Sequence, residues 1–239
     1  MAVAYDTSVV GGGAGVNSIA LPAISTAGAN EKLLCFSHES QNADNISSIT
    51  GGSGITWTFV AKEQPNHDTN TGWVEIWEAY ATAQLSSVVF TVNYTASNFP
   101  HASAIIAAFS GAKNAVVGTS NTAIGNSGSP SVNLTTTATN SLVVGCWGSA
   151  SANTGTAGSN QTIVEENGGS FSIVDFSRQN AVTSSSGSSV TINGTMTSTE
   201  WAAVCCEVLD PGVVAGPQTL NNYQFVKVGN GMSTSEKIK

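Results

Sequence analysis

Charge is what this chain has least of: 9% of its 239 residues are Asp, Glu, Lys or Arg, against roughly 25% in an ordinary globular protein. The seven basic residues form no patch and the formal net charge is −8, so nothing is available to neutralise a run of phosphates, and nucleic-acid binding is not expected. Long apolar runs are also missing. None approaches the ~20 residues of a membrane-spanning helix. The opening Met1-Ala-Val-Ala-Tyr-Asp6 has neither a basic n-region nor an apolar h-region, so no signal peptide is read there and folding in a cytoplasm is expected. Helical periodicity is absent at any length, which predicts almost no helix.

Cysteine is scarce and placed inside apolar runs: Cys35, Cys146, Cys205 and Cys206. They are expected to be reduced and buried, acting as small hydrophobes. Cys205 and Cys206 are adjacent, so on a strand they point to opposite faces and cannot grip one metal. Catalytic signatures are lacking as well. No G-x-S-x-G elbow surrounds a serine, and His38, His67 and His101 fall in no spaced ligand motif. Glu165-Glu166, Glu75 and Glu78 are the available carboxylates, but a glycosidase pair must face across ~5–9 Å, and neighbours on a strand do not. No catalytic residue, metal site or cofactor is expected.

What fills the chain is uncharged polarity: Ser, Thr, Asn and Gly between short apolar runs. Two runs stand out. Asn140-Ser-Leu-Val-Val-Gly-Cys-Trp147 and Asn30-Glu-Lys-Leu-Leu-Cys-Phe36 share an outline, an Asn followed by a continuous apolar run. Such runs read as strands buried on both faces. Further strands are expected over 16–24, 55–60, 73–81, 88–94 and 102–109, then 131–137, 162–165, 171–176, 190–195 and 201–209. Residues 8–15, rich in glycine, read as loop, as does 64–72.

The spacing also shows an internal repeat. A shift of 100 lays Phe90-Thr-Val-Asn-Tyr-Thr95 on Val190-Thr-Ile-Asn-Gly-Thr195 and His101–Phe109 on Trp201–Leu209, while the Asn30 and Asn140 runs need 110. The expectation is an all-β sandwich over 1–210, built from similar halves of about 1–111 and 112–210 with four to five strands each. Leu33, Leu34, Phe36, Val89, Ile105, Leu142, Val143, Val204 and Val208 are expected in one common core.

These motifs resemble those of jelly-roll-type virion proteins of tailed bacteriophages. The likeness spans about residues 2–209. It rests on the Met-Ala-Val-Ala-Tyr-Asp opening, the Gly-rich turn before Ile55-Thr-Trp57, the Trp73-x-x-x-Trp77 strand and the Ala-rich strand ending Phe109-Ser-Gly111. Thr139-Asn-Ser-Leu-Val-Val-Gly145 and Trp201-Ala-Ala-Val-x-x-Glu207 carry it through the second half. The resemblance implies a jelly-roll-like sandwich without enzymatic activity, made in the host cytoplasm and located in the virion. Head-decoration, fibre and tail proteins are the roles it implies. The partners would be a major capsid or tail protein and further copies of the chain.

Two candidate sites follow from the residues. On a strand through 72–80, Trp73, Glu75 and Trp77 share a face, two rings flanking a carboxylate, which suits a carbohydrate platform and makes a carbohydrate-binding module or receptor-binding tail protein the alternative role. The tail from 211 to 239 reads as a connector, then a strand in which Leu220, Tyr223, Phe225, Val226 and Val228 would add to the sheet edge of a neighbouring subunit as an assembly arm.

Overall fold

The computed structural model describes residues 2–15, 17–39, 46–64, 72–95, 101–149, 155–169, 172–197, 200–212, 223–225 and 235–237. Among them there are strands and turns but no helix. The first half contributes β1 (Ala4–Gly13), β2 (Ser18–Ala20), β3 (Glu31–Glu39), β4 (Ile46–Thr50), β5 (Thr58–Glu63), β6 (Val74–Ala81), β7 (Thr91–Tyr94) and β8 (Ala102–Ser110). The second contributes β9 (Ser120–Gly125), β10 (Ser131–Thr135), β11 (Leu142–Ser149), β12 (Thr156–Ala157), β13 (Gln161–Gly169), β14 (Ser172–Gln179), β15 (Ser189–Thr195) and β16 (Trp201–Val208).

Pairing repeats eight strands on. The first half forms a five-stranded sheet β1-β8-β3-β6-β5 and a three-stranded sheet β2-β7-β4. Adding eight to every label gives the five-stranded β9-β16-β11-β14-β13 and the three-stranded β10-β15-β12 of the second half, all paired antiparallel. Even an irregularity is repeated: the bulge between Phe59 and Ala61 of β5 recurs between Ile163 and Glu165 of β13.

The two five-stranded sheets face each other. One apolar cluster lies between them, with Leu34, Phe36, Ile76, Ile105 and Phe109 on one side and Leu142, Val144, Phe176, Val204 and Val208 on the other. Phe36 stacks on Phe176 with ring centroids 4.4 Å apart. A second cluster, including Leu33, Cys35, Ile106, Phe90 and Val92, fills the space under the first three-stranded sheet, and a third, including Val143, Trp147, Val190, Ile192 and Cys205, fills that under the second. The layers therefore run three, five, five, three. This is why β3, β8, β11 and β16 are buried nearly throughout: each has core on both faces, and burying a Leu, Ile or Phe fully is worth ~1.5–3 kcal/mol.

Several expectations need correction. Of the nine residues expected in one core, eight divide among the three clusters, and Val89 lies outside them, 49% exposed. Val88 bridges Ile24 and the Phe90 carbonyl accepts from Leu21 N at 2.9 Å, so this segment is already extended. Val89 falls on the face opposite Val88 and Phe90, which pack into the second cluster. Residues 8–13, read as loop, belong to β1. The glycines there answer to close packing rather than to a turn. A Cβ on Gly11 would lie 2.9 Å from Leu21 Cδ2, and one on Gly12 2.2 Å from Asn167 Nδ2. The shift relating β8 to β16 is 99, not 100, because Ile105 pairs Phe36 while Val204 pairs Cys146. A one-residue slip exchanges the faces of a strand. Only the corrected shift lays the centre-facing Ile105, Ala107 and Phe109 on the centre-facing Val204, Cys206 and Val208.

Polar side chains join the halves at the margins. Ser8 Oγ of β1 donates to Glu165 Oε2 of β13 at 3.0 Å, and Thr122 Oγ1 of β9 donates to Glu63 Oε2 of β5 at 2.5 Å. The connector between β8 and β9 is held by a buried ion pair: Lys32 Nζ lies 2.7 Å from Glu78 Oε2 and also donates to the Ala115 carbonyl, while Val117 N donates to the same Glu78 oxygen at 3.0 Å. In the tail, β17 (Tyr223–Phe225) pairs antiparallel with β18 (Ser235–Lys237). The strand expected over 220–228 is thus described only for 223–225, where it meets its own chain. Leu220, Val226 and Val228 lie outside the described residues.

Candidate functional site

Trp73, Glu75 and Trp77 do come close together, but not as an open platform. Glu75 is 0% exposed. Its Oε2 accepts from Trp77 Nε1 at 2.9 Å and its Oε1 from the Ile46 amide at 3.1 Å. Burial pushes its carboxyl up to about 7, against the pull of those two hydrogen bonds and of Lys62. Lys62 Nζ sits 4.2 Å above the centre of the Trp73 ring, and Phe59 packs edge-on against Trp77 at 5.7 Å. The carboxylate faces inward and each ring already has a neighbour.

The second half holds the same acid. Asp175 occupies on β14 the place of Glu75 on β6, since Phe36 pairs Ile76 and Cys146 pairs Phe176. It too is 0% exposed and accepts a backbone amide, Gly155 N at 3.2 Å. Burial first, then the charge of Glu166, raises it to about 7. Beside each acid the halves solve one packing problem in opposite ways. In the first, Ser37 Oγ lies 3.1 Å from the hydroxyl of the buried Tyr94. In the second, the position of Ser37 holds Trp147 and that of Tyr94 holds Gly194, where a Cβ would lie 2.6 Å from Trp147 Cζ2. Small and large have changed places.

At the end of β3, Ser37 Oγ donates to Glu39 Oε1 at 2.8 Å, and both residues are fully buried. His38, next along, is pushed down to about 3 by burial and is therefore a neutral imidazole. Asn167 Nδ2 of β13 donates to Ser103 Oγ of β8 at 3.1 Å across the halves. Among the described residues no three His, Cys, Asp or Glu side chains are grouped to hold a metal ion.

An open feature lies elsewhere, on the second half. A groove of about 320 Å³ is lined by Ser159, Asn160, Gln161, Gln179, Ser189, Val190, Thr191 and Asn193. Two of its amides are locked together: Gln161 Nε2 donates to Asn193 Oδ1 at 2.6 Å, and the Asn193 backbone amide donates to Gln161 Oε1 at 3.0 Å. Gln179 is fixed by the Val143 amide, which donates to its Oε1 at 3.0 Å. Sequence reading missed this groove because it is made by what the second half lacks, and only superposed halves reveal that. No protein-family model, curated protein or solved structure matches the chain.

Proposed function

We propose that the chain is a non-enzymatic structural subunit of a tailed-phage particle, each half an eight-stranded jelly roll, serving as a capsid decoration or fibre protein that binds other virion subunits. The observation that carries this reading is the distribution of charge against uncharged polarity. The acids Glu31, Glu39, Glu75, Glu78, Asp175 and Glu207 are buried. The outer faces of the three-stranded sheets carry Ser48, Thr50, Thr91 and Asn93 on one side and Ser131, Asn133, Thr135 and Thr191 on the other. Surfaces of this kind meet neighbouring subunits with little charge to desolvate. The strand orders support the jelly-roll part, since eight antiparallel strands divided between two packed sheets are what that fold requires. A major capsid or tail protein and further copies of the chain are the partners of this reading, and the tail beyond Pro211 is its assembly segment.

Mass spectrometry of purified particles tests it. High copy number in the particle is the expected result, and loss of incorporation when residues 211–239 are deleted is expected alongside. Absence from purified particles refutes the reading.

A further inference from the structure

The groove on the second half has an internal control, because the same place exists in the first half and is filled. Strand register equates β5 with β13 at a shift of 104, Thr58 pairing Glu78 as Thr162 pairs Arg178. On that alignment Ile55, Thr56 and Trp57 stand where the groove has Ser159, Asn160 and Gln161. Likewise Ala79, Val89 and Phe90 stand where it has Gln179, Ser189 and Val190. In the first half Trp57 packs edge-on against Phe90 at 5.6 Å, both joined to the apolar cluster with Ile55. In the second half both rings are gone, and a locked amide pair and a valine remain. Losing two aromatic rings from a packed interior normally collapses the site or leaves an apolar void. Here the space is open and relined with amides and hydroxyls.

The lining determines what fits. Among the described residues no charged side chain borders the groove, so an ionic ligand would give up hydration without a partner. Val190, the one apolar side chain among the described lining residues, does not make the mostly apolar wall that small hydrophobic ligands need. Asn and Gln side chains offer a donor and an acceptor on one rigid plane, a match for neighbouring hydroxyl groups. The Gln161 and Asn193 amides are held in place by each other. Gln179 has its oxygen engaged, which leaves its NH2 group for a ligand. Gly158 makes room for this arrangement, since a Cβ there would lie 1.9 Å from Asn193 Oδ1.

The geometry points to a binding site for a neutral saccharide in this groove, with Asn160, Gln161, Gln179, Thr191 and Asn193 as the hydrogen-bonding residues. It stands whether or not the chain is a particle subunit, and it lies on the opposite half from the Trp73–Trp77 strand.

The test is a titration of the full-length 15N-labelled chain, followed by backbone and side-chain amide shifts. The probes are gluco-, manno-, galacto- and N-acetylglucosamine hexasaccharides, a hexauronate, and a Gly/Ser peptide of similar length. The expected result is movement of the Asn160, Gln161, Gln179 and Asn193 amides by at least one neutral hexasaccharide and not by the hexauronate. Thr191→Trp, at an exposed groove residue, is expected to weaken binding by about tenfold or more. The pair Gln161→Trp and Val190→Phe, which restores the first half's plug, is expected to abolish binding while the amide spectrum stays dispersed. If no neutral hexasaccharide shifts the groove amides at about 10 mM, a concentration that detects Kd values well into the millimolar range, the proposal is wrong. It is equally wrong if Thr191→Trp binds as the parent does, or if the peptide moves the same amides more strongly than any sugar.

Discussion

His38 and Gly148 occupy the same place in the two halves, one on β3 and one on β11, and they touch. A Cβ on Gly148 would lie 2.7 Å from both Cγ and Cδ2 of His38 and 2.8 Å from Cγ2 of Val74. Corresponding residues can meet only where the halves face each other squarely. At such a point two large side chains would collide, so the repeat holds a ring on one side and no side chain on the other.

Gly148→Ala is therefore expected to destabilise the protein by about 1–3 kcal/mol through overpacking. Adding His38→Ala should recover part of that loss, because the obstructing ring is removed. Urea unfolding of the two single variants and the double variant measures both effects. Additive losses would mean the contact is not the cause.

A second exchange, within each half, gives a sharper test. Gly194→Ala should cost about 1–3 kcal/mol, since the Cβ meets Trp147 at 2.6 Å and the Thr156 carbonyl at 2.7 Å. Trp147→Ser alone should cost about 3–5 kcal/mol by emptying the third core cluster. Combining Trp147→Ser with Gly194→Tyr copies the Ser37 and Tyr94 arrangement, and the double variant should be more stable than Trp147→Ser alone. Thermal unfolding of the set reads this out.

Stability should depend on pH in two opposing ways. Glu75 and Asp175, with Glu31 beside Asp6, are raised to about 7, in each case chiefly by burial. Between their unfolded values near 4 and about 7, the folded chain holds protons that the unfolded chain has released, so these groups weaken the fold as pH rises through that window. His38, lowered to about 3, works the other way: its contribution is complete above about 6.5 and is lost as pH falls toward 3. For Glu207, burial pushes up but hydrogen bonds from Ser141, Thr137 and Ala138 prevail, holding it below the usual range. Its contribution is lost as acid protonates it. Asp175→Asn removes one of the raised acids. Its stability relative to the parent should grow by about 2–3 kcal/mol between about pH 5 and about pH 9, measured by denaturant unfolding at each pH. A constant difference would exclude a raised carboxyl at Asp175.

All four cysteines are free and buried, and burial raises their thiols, Cys205 to about 12. Thiol reagents should label none of them in the native protein at neutral pH and all of them after unfolding, with the rate under native conditions set by opening of the sheets. Mass spectrometry counts the labels. Rapid modification of any one cysteine without denaturant would show that the sheets open locally.

Strands buried on both faces were legible because a continuous apolar run needs core on each side, and the Asn30 and Asn140 starts were legible too. Both take left-handed φ, 63° and 57°, a conformation Asn tolerates better than most residues. The expected four to five strands per half fell short because β4 and β12 are polar and short and β9 looks like a linker. The strand character of Gly11 and Gly12 was hidden for another reason: a glycine required by a neighbour's side chain looks, in one sequence, like a glycine required by a turn. The enclosure of Glu75 was illegible because alternation gives the face of a residue but not what covers that face. The groove was illegible because it takes eight residues from three separated segments.

The connector from Gly111 to Thr119, clasped by Lys32 and Glu78, has a thermodynamic consequence. The central layer pairs two like sheets as a homodimer interface would, yet the partners are one chain. What would be a bimolecular association, dependent on protein concentration, becomes an intramolecular docking at a fixed effective concentration set by the tether. This central interface should therefore add no concentration dependence to the melting temperature. The faces that meet are also released from the self-complementarity that a symmetric dimer imposes, which is the freedom that lets His38 face Gly148 and one half keep its aromatic plug while the other opens a groove.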